Sequence, residues 1–490
     1  MKTRFISLSL LALSALAMGS CEKFLDVQPR YVQDAENYFN QPSDYEMALT
    51  AAYDLLQTSY LTQWIGEIAS DNAIAGGESV TDTEGLHQIE AMTHNAVNNE
   101  LRSIFRWNYA GIARVNYMME FKDKIDFVGK EAILGQARFL RAYYYFELTK
   151  YFGDVPLVID ERLGADQVTK MDRSPASEVY AQIESDLRYA SATLPWSNPE
   201  KGRVDKGAAL ALLGKVQLYQ GKHTQAAVTL DSVINFGGFA LVENYADLWL
   251  DANENNSETV FDIEYSGLEG GSYGCFVCLE GNAAAGFNGI RQYDGPYYSD
   301  GNSYNLPTQD LYDAFDASDL RRDVTVLDLD AFIAAQPNAS SISYAIGGGG
   351  HTGYYNNKYI KRQEELGLPD NDLTSPLNYK VIRYADVLLM AAEAHAQNGN
   401  DATALSYVNQ VRDRVSMPAL TSGGSTLLAD IFHERRLELS GEGLRFWDLV
   451  RSGQAAQEIS NFQVGKHELF PLPQVEIDLA GGNWPQNAGY

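Results

Sequence analysis

Two segments of the chain repeat one pattern of small and apolar residues. Residues 208–233 match residues 386–411, 178 positions downstream, at Leu210 and Leu388, Leu212 and Met390, Gly221 and Gly399, Ala226 and Ala404, and Val233 and Val411. Each copy has the apolar spacing of a helix, a short turn at a glycine, and a second helix with alanine at the crossing, where small side chains let helices approach closely. The pattern predicts a mainly α-helical protein built on helical hairpins of the tetratricopeptide kind.

Helical spacing elsewhere in the chain extends this scaffold to about four hairpins. It is found over 45–60, 101–121, 130–152, 177–192 and 431–452. Gly153 and Pro156 end the third of these segments. Residues 70–99 lose the spacing, and we expect them to form a long polar loop.

The stretch 266–360 is different in composition, being rich in Gly, Tyr, Asn and Asp. Long irregular stretches are usually functional or disordered, and this one is too aromatic to be disordered. We expect a loop-rich second subdomain with little β-structure. The glycine run 347–350 lacks the Lys-Ser/Thr of a phosphate-binding loop and is predicted to be a mobile surface turn. An N-terminal region, 21–265, then precedes a C-terminal region, 266–490, whose helices return over 375–455.

The first twenty residues have the pattern of a secretory signal peptide. Lys2 and Arg4 precede an apolar run, residues 5–18, that is too short to span a bilayer, and small residues then precede Cys21. Such a cysteine is where lipoproteins are cleaved and acylated, so we expect a lipid anchor on Cys21 and no other membrane segment. The alternative is an ordinary signal peptide followed by an incidental cysteine.

Charge and cysteine content limit the partners of the mature chain. The full sequence has a net charge of -28, which becomes -30 without Lys2 and Arg4. This charge argues against nucleic acid and against adhesion to anionic lipid, and it suits neutral or cationic ligands. Cys275 and Cys278 lie among glycines, where a local disulfide is the favoured interpretation and a reduced, inert pair the alternative. The seven histidines are not clustered, so neither a metal site nor a cofactor is predicted. Residues 251–262 begin like a calcium loop but carry Asn256 and Asp262 where Gly and Glu are required.

Glu434 and Glu438 are the most suggestive pair of carboxylates. They lie four residues apart on one predicted helical face, and paired carboxylates can hydrolyse glycosides when held at a defined separation. We favour ion pairs that lock one helix to another, and we predict no catalytic residue.

Seven blocks of the sequence resemble the SusD/RagB family in the order that the family has them. They are Cys21–Asp26, Glu131–Phe146 with Tyr151–Pro156, Gly202–Val204, Tyr384–Ala394, His433–Leu439, Glu442–Leu449, and Leu469–Pro473 with Gln486–Tyr490. The resemblance implies tetratricopeptide-like hairpins supporting a loop-rich subdomain that closes as a lid over a TonB-dependent transporter barrel. It implies an outer-membrane lipoprotein that faces the exterior and captures oligosaccharides, or oligopeptides in the RagB branch, without catalysis.

Ligand binding is expected in two loops, because sugar rings need flat aromatic faces with hydrogen-bonding side chains between them. The candidates are Asp71, Asn72 and His94 in the first loop, and Tyr273, Arg291, Tyr293, Tyr297 and Tyr298 in the second. For any single tyrosine, packing beneath the loop is an open alternative. A surface glycan hydrolase and a pure scaffold protein are the competing functions.

Overall fold

The computed structural model describes residues 37–365, 370 and 372–490. The predicted signal peptide and the predicted lipidation at Cys21 lie outside these residues. Within the described ranges, every helix is too short or too polar to cross a membrane.

The N-terminal part of the scaffold is almost entirely helical. Its helices are α1 Pro42–Asp54, α2 Tyr60–Ile68, α3 Glu84–Glu90, α4 Asn99–Glu120, α5 Lys130–Phe152, α6 Ala165–Val168, α7 Ala176–Thr193, α8 Lys206–Tyr219 and α9 His223–Phe236. A 3₁₀ turn, Leu55–Ser59, joins α1 to α2. The Asn98 side chain caps α4 by accepting a hydrogen bond from the Leu101 amide. Gly153 ends α5 at φ +71°, where a Cβ would lie 2.7 Å from Leu469 Cδ1, so glycine is required there.

The C-terminal part combines short elements with a second group of long helices. The short helices are α10 Ala283–Phe287, α11 Gln309–Ala314, α12 Arg322–Thr325 and α13 Leu329–Ala334. The later helices are α14 Tyr384–Gln397, α15 Asp401–Arg414, α16 Gly424–Leu439, α17 Arg445–Ser452, α18 Ala455–Glu458 and α19 Gln474–Leu479. The 3₁₀ turns are Tyr245–Trp249, Asp251–Asn253, Phe276–Cys278, Ala339–Ser341 and Gln363–Glu365.

The sequence repeat corresponds to two helical hairpins, α8–α9 and α14–α15. They turn at Gly221 and Gly399, both with positive φ, and the two matched alanines, Ala226 and Ala404, are fully buried. Helix α9 also packs against α14, so the two hairpins are neighbours in space. The predicted α-helical scaffold is thus confirmed, while its likeness to tetratricopeptide repeats stays a prediction.

The strands pair in twos over the described residues, in keeping with the predicted small β content. They are β1 Ala73–Gly76, β2 Thr259–Ile263, β3 Ile290–Arg291, β4 Asp300–Gly301, β5 Tyr304–Pro307, β6 Val326–Asp328, β7 Tyr354–Asn356 and β8 Tyr379–Arg383. The antiparallel pairs are β1–β5, β2–β8 and β6–β7, and β3–β4 is parallel. The long loop predicted for residues 70–99 is wrong in part, because β1 and α3 lie within it.

Carboxylates of α16 are held in an ion-pair cluster, as expected for helix-locking residues. Arg321 Nη1 contacts Glu434 Oε1 at 2.5 Å and Glu438 Oε2 at 3.0 Å. Arg383 and Arg414 also bind Glu438, which is fully buried. Three arginines therefore hold the pKa of Glu438 well below its ordinary value despite its burial. A carboxylate whose charge is balanced by three arginines fits a structural role and not acid–base catalysis.

Candidate ligand-binding site

A cavity of about 380 Å³ opens where α2 and α4 meet the loop-rich subdomain. Its aromatic lining residues are Tyr60, Trp64, Trp107, Tyr273, Phe276, Phe287 and Tyr304. Its remaining lining residues are Leu61, Asp82, Thr83, Asn99, Glu100 and Ser103. The volume falls within the range of about 300–1,000 Å³ that is usual for ligand pockets.

The aromatic rings pack against one another, and some of them remain partly exposed. Trp64 stacks on Tyr304 with ring centroids 5.3 Å apart and meets Tyr60 edge-on at 5.5 Å. Trp64 is buried and its indole N–H donates to Asn288 Oδ1 at 2.9 Å, so its orientation is fixed. Trp107 is half-buried, and Tyr273 is 57% exposed. The inner rings therefore form a floor, while Trp107 and Tyr273 offer accessible surface at the mouth.

Polar groups at one side of the cavity are carboxylates and hydroxyls. The Tyr304 hydroxyl donates to Asp82 Oδ2 at 2.5 Å and lies 3.0 Å from Thr83 Oγ1. Burial, and then the Asp82 carboxylate, raises the pKa of Tyr304, so it stays a neutral phenol. Burial also raises the pKa of the Glu100 carboxyl. The lining includes two acidic residues and no lysine or arginine among the described residues.

The loop that carries Asp82 is fixed by the glycine run 347–350. The Gly348 amide donates to Glu78 O at 2.6 Å, and the Gly349 amide donates to Gly77 O at 3.3 Å. A Cβ on Gly349 would lie 2.0 Å from Gly76 O, so only glycine allows this approach. The run is a surface turn, as predicted, with Gly348 exposed, but it packs backbone to backbone against the loop beside the cavity.

The Cys275–Cys278 pair is disulfide-bonded and lies beside the cavity. Phe276, between the two cysteines, has its ring 6.0 Å from Tyr60 and 6.3 Å from Phe287, centroid to centroid. The Gln57 side chain donates to Val277 O at 2.7 Å and ties this turn to the helical scaffold.

Of the tyrosines and the arginine predicted in the second loop, Tyr273 lines the cavity. Arg291 is outside the cavity lining and forms an ion pair with Glu78 at 3.1 Å. Tyr293 and Tyr298 are buried in a separate core cluster, where they donate to Pro296 O and Asn357 Oδ1. Tyr297 is 46% exposed and rests edge-on against Tyr298 outside the cavity lining.

The three residues predicted in the first loop are engaged inside the protein and do not line the cavity. Asp71 forms ion pairs with Arg445 at 2.8 Å and Arg436 at 2.9 Å, which lower its pKa despite burial. Asn72 is fully buried and accepts from Arg436 Nε at 2.9 Å. His94 is buried with its Nε2 2.8 Å from the Tyr490 hydroxyl. The structure does not bring these residues together with Tyr273.

Metal binding finds no support in the part of the chain that the structure describes, where no group of three or more His, Cys, Asp or Glu side chains could hold an ion. Asp262, the last position of the calcium-like stretch, instead pairs with Lys380 at 3.2 Å. Burial raises the pKa of Asp262, and Lys380 opposes that change.

The cavity residues that the sequence interpretation missed are mainly on the scaffold. Tyr60, Trp64 and Trp107 lie on α2 and α4, where aromatic residues at helical spacing are usually core. Asp82 lies in a predicted loop but was not singled out. The spacing of Tyr60 and Trp64, four residues apart, was the available signal that both rings share a helical face.

These features define a class of protein in which a helical scaffold carries a loop-rich subdomain and an aromatic surface cavity. The model of the SusD family matches residues 257–468, and a model described as "Starch-binding associating with outer membrane" matches residues 23–218. The chain belongs to the SusD/RagB family.

Three similar proteins illustrate this membership. A laminarin-binding SusD-like protein has 34% sequence identity and a TM-score of 0.84, over 91% of this chain and 99% of that one. Surface glycan-binding protein A from Bacteroides fluxus has 26% identity and a TM-score of 0.80, over 92% and 100%. SusD-like protein P38 from Formosa agariphila is 27% identical over 93% of each chain. These are named as SusD-like or glycan-binding proteins, in keeping with the prediction of a binder without catalytic activity.

Proposed function

We propose that the protein captures neutral oligosaccharides in the aromatic cavity and delivers them to a TonB-dependent transporter of the outer membrane. The observation that carries this proposal is the lining: seven aromatic residues, two carboxylates, and no lysine or arginine among the described residues. Aromatic faces carry partial negative charge and attract the C–H faces of sugar rings, while carboxylates and hydroxyls accept and donate to sugar hydroxyls.

Charge complementarity supports neutral ligands over acidic polysaccharides. A uronate entering the cavity would meet Asp82 and Glu100 without a lining cation to neutralise it, and an unpaired charge is costly to bury. The name of the laminarin-binding relative points in the same direction, because laminarin is a neutral glucan. A cationic oligopeptide is the second candidate, and the same two carboxylates favour it.

Membrane display and delivery form the outer part of the proposal. The signal pattern before Cys21 supports a lipid anchor, and the matching family description names association with the outer membrane. Replacing Cys21 by serine should move the protein out of the membrane fraction, and a TonB-dependent barrel should copurify with the unaltered protein. Retention of Cys21→Ser in washed membranes would contradict the lipid anchor.

Isothermal titration calorimetry tests the choice of ligand. Laminarin should bind, whereas a polyuronate should give no heat and a lysine-rich peptide should bind more weakly than laminarin. Trp107→Ala and Tyr273→Ala should each lower laminarin affinity roughly 10-fold or more, because each removes an accessible stacking face. Tyr297→Ala is the matched control, since it removes an exposed tyrosine outside the cavity. Equal binding by all four proteins, or tighter binding of the polyuronate, would contradict the proposal.

A further inference from the structure

The Cys275–Cys278 disulfide closes a turn whose neighbours form part of the cavity wall. Phe276 lies within the closed turn and Tyr273 lies two residues before it, and both line the cavity. Their rings meet edge-on, with centroids 6.3 Å apart. A constraint on this turn therefore acts directly on two aromatic residues of the site.

Apart from the disulfide, the segment 272–279 contains little regular structure. Its regular structure is one 3₁₀ turn, Phe276–Cys278. Gly274 lies inside the segment, and a Cβ on it would have space, because its nearest contact would be Ser272 Oγ at 3.5 Å. This glycine is therefore not required by close packing, and it gives the backbone conformational freedom. Glycine loses more conformational entropy on ordering than any other residue does.

A few noncovalent contacts tie the segment to the rest of the protein. Leu279 is buried at one end, and the Tyr273 hydroxyl donates to Asp372 Oδ2 at 3.0 Å at the other. Between them, Val277 O accepts from Gln57 at 2.7 Å. The Phe276 ring itself is half-buried against neighbours 6 Å or more away, centroid to centroid.

Resting on the proposed function, we infer that the Cys275–Cys278 disulfide is a positioning element for ligand binding, which holds Tyr273 and Phe276 in the geometry that the ligand needs. A loop that is already ordered does not lose that freedom on binding, so the disulfide raises affinity by preorganisation. The scaffold does not depend on it, because the closed loop is short and lies at the surface, with Cys278 exposed and Cys275 half-buried. The same exposure gives a reductant access to the bond.

Hydrogen exchange and calorimetry on one set of proteins test this inference. The set is the oxidised wild type, the wild type reduced by a phosphine, the same sample reoxidised, and Cys275→Ser/Cys278→Ser. Loss of the bond should raise amide exchange in residues 272–280 and leave exchange in α8 and α14 unchanged. Laminarin affinity should fall roughly 10-fold, as expected for ordering two side chains on binding, and the loss should appear in the entropy of binding. Reoxidation should restore affinity to the wild type, and the double variant should not respond to either reagent.

Two results would overturn the inference: unchanged exchange in residues 272–280 after reduction, or increased exchange there with unchanged laminarin affinity. Increased exchange throughout the protein would also overturn it, since the disulfide would then stabilise the whole fold and not the site. Failure of the oxidised wild type to bind laminarin contradicts the proposed function instead. Increased exchange confined to residues 272–280 would then still support the ordering of Tyr273 and Phe276 by the disulfide, and unchanged exchange there would overturn it.

Discussion

Tyr304 donates its phenolic hydrogen to Asp82 Oδ2 over 2.5 Å, and this bond joins β5 to the loop that follows β1. The same hydroxyl lies 3.0 Å from Thr83, and the Tyr304 ring stacks on Trp64. One side chain thus connects the aromatic floor of the cavity to its polar side. The cavity depends on a contact between the N-terminal scaffold and the loop-rich subdomain, which neither region forms alone.

Replacing Tyr304 by phenylalanine tests that connection. The variant keeps the stacked ring but removes the shorter of two hydrogen bonds to Asp82 Oδ2, leaving the one from the Glu78 amide at 3.3 Å. We therefore expect a loss of about 1 kcal/mol in the free energy of unfolding. Laminarin affinity should fall about 5-fold, because the loop that carries Asp82 is less well held. Urea unfolding and calorimetry measure the two effects. Tyr297→Phe is the control, and an equal loss of affinity in that variant would refute the assignment.

Replacing Gly349 by alanine tests whether the glycine run shapes the cavity. The new Cβ would lie 2.0 Å from Gly76 O, so the backbone of the 76–83 loop must move away. We expect a loss of about 1–3 kcal/mol in the free energy of unfolding, together with weaker laminarin binding. Gly267→Ala is a matched control in the same subdomain, because its Cβ would meet Pro376 at an ordinary 3.4 Å. Unchanged binding by Gly349→Ala would show that the run has no influence on the site.

The helical scaffold could be predicted from sequence because its signals are local. The repeat that relates Leu210 to Leu388 depends on spacings within single helices, and Gly153 marks a helix end through its own backbone angle. Strand β1 could not be predicted in the same way. Its four residues, Ala73–Gly76, become a strand by pairing with β5, more than 200 residues later, and no local pattern encodes that pairing.

The candidate site was predictable only in part, for a related reason. Tyr273 was identified because it lies in an aromatic loop. Trp64 and Trp107 were not, since a helical aromatic that lines a cavity has the same spacing as one that fills a core. Tyr293 and Tyr298 show the converse, because two loop tyrosines belong to a core. The packing of the subdomain on the scaffold decides which aromatic side chains stay accessible, and that packing is a property of the tertiary structure.

The ion-pair cluster around Glu438 should be a strong determinant of stability. Glu438→Gln removes one carboxylate but leaves the side chains of Arg321, Arg383 and Arg414 close together and nearly inaccessible to solvent. Breaking a buried ion pair in this way costs about 3–5 kcal/mol. Chemical denaturation at neutral pH measures the loss, with Glu46→Gln, an exposed residue of α1, as the control. A loss below 1 kcal/mol in the free energy of unfolding would contradict the structural role assigned to Glu438.

Stability should also fall in acid because of His94. Burial, and then the neighbouring His467 and Lys466, lowers the pKa of His94 from 6.5 to about 3, so the folded protein holds it neutral. A histidine with a lowered folded pKa contributes stability that is fully present above pH 6.5. That contribution is lost as the pH falls from 6.5 towards 3, because in this range the unfolded chain binds a proton at His94 and the folded chain does not.

His94→Gln removes this titration and keeps a side chain that can bond with Tyr490. Between pH 7.5 and 4.5, the wild type should lose about 2–3 kcal/mol more of its free energy of unfolding than the variant does, at about 1.36 kcal/mol per pKa unit. Urea denaturation of both proteins at the two pH values gives the difference directly, and titration of the shared carboxylates cancels in it. Parallel losses in the two proteins would mean that His94 is protonated in the folded state, in conflict with its burial against Phe470 and Tyr490.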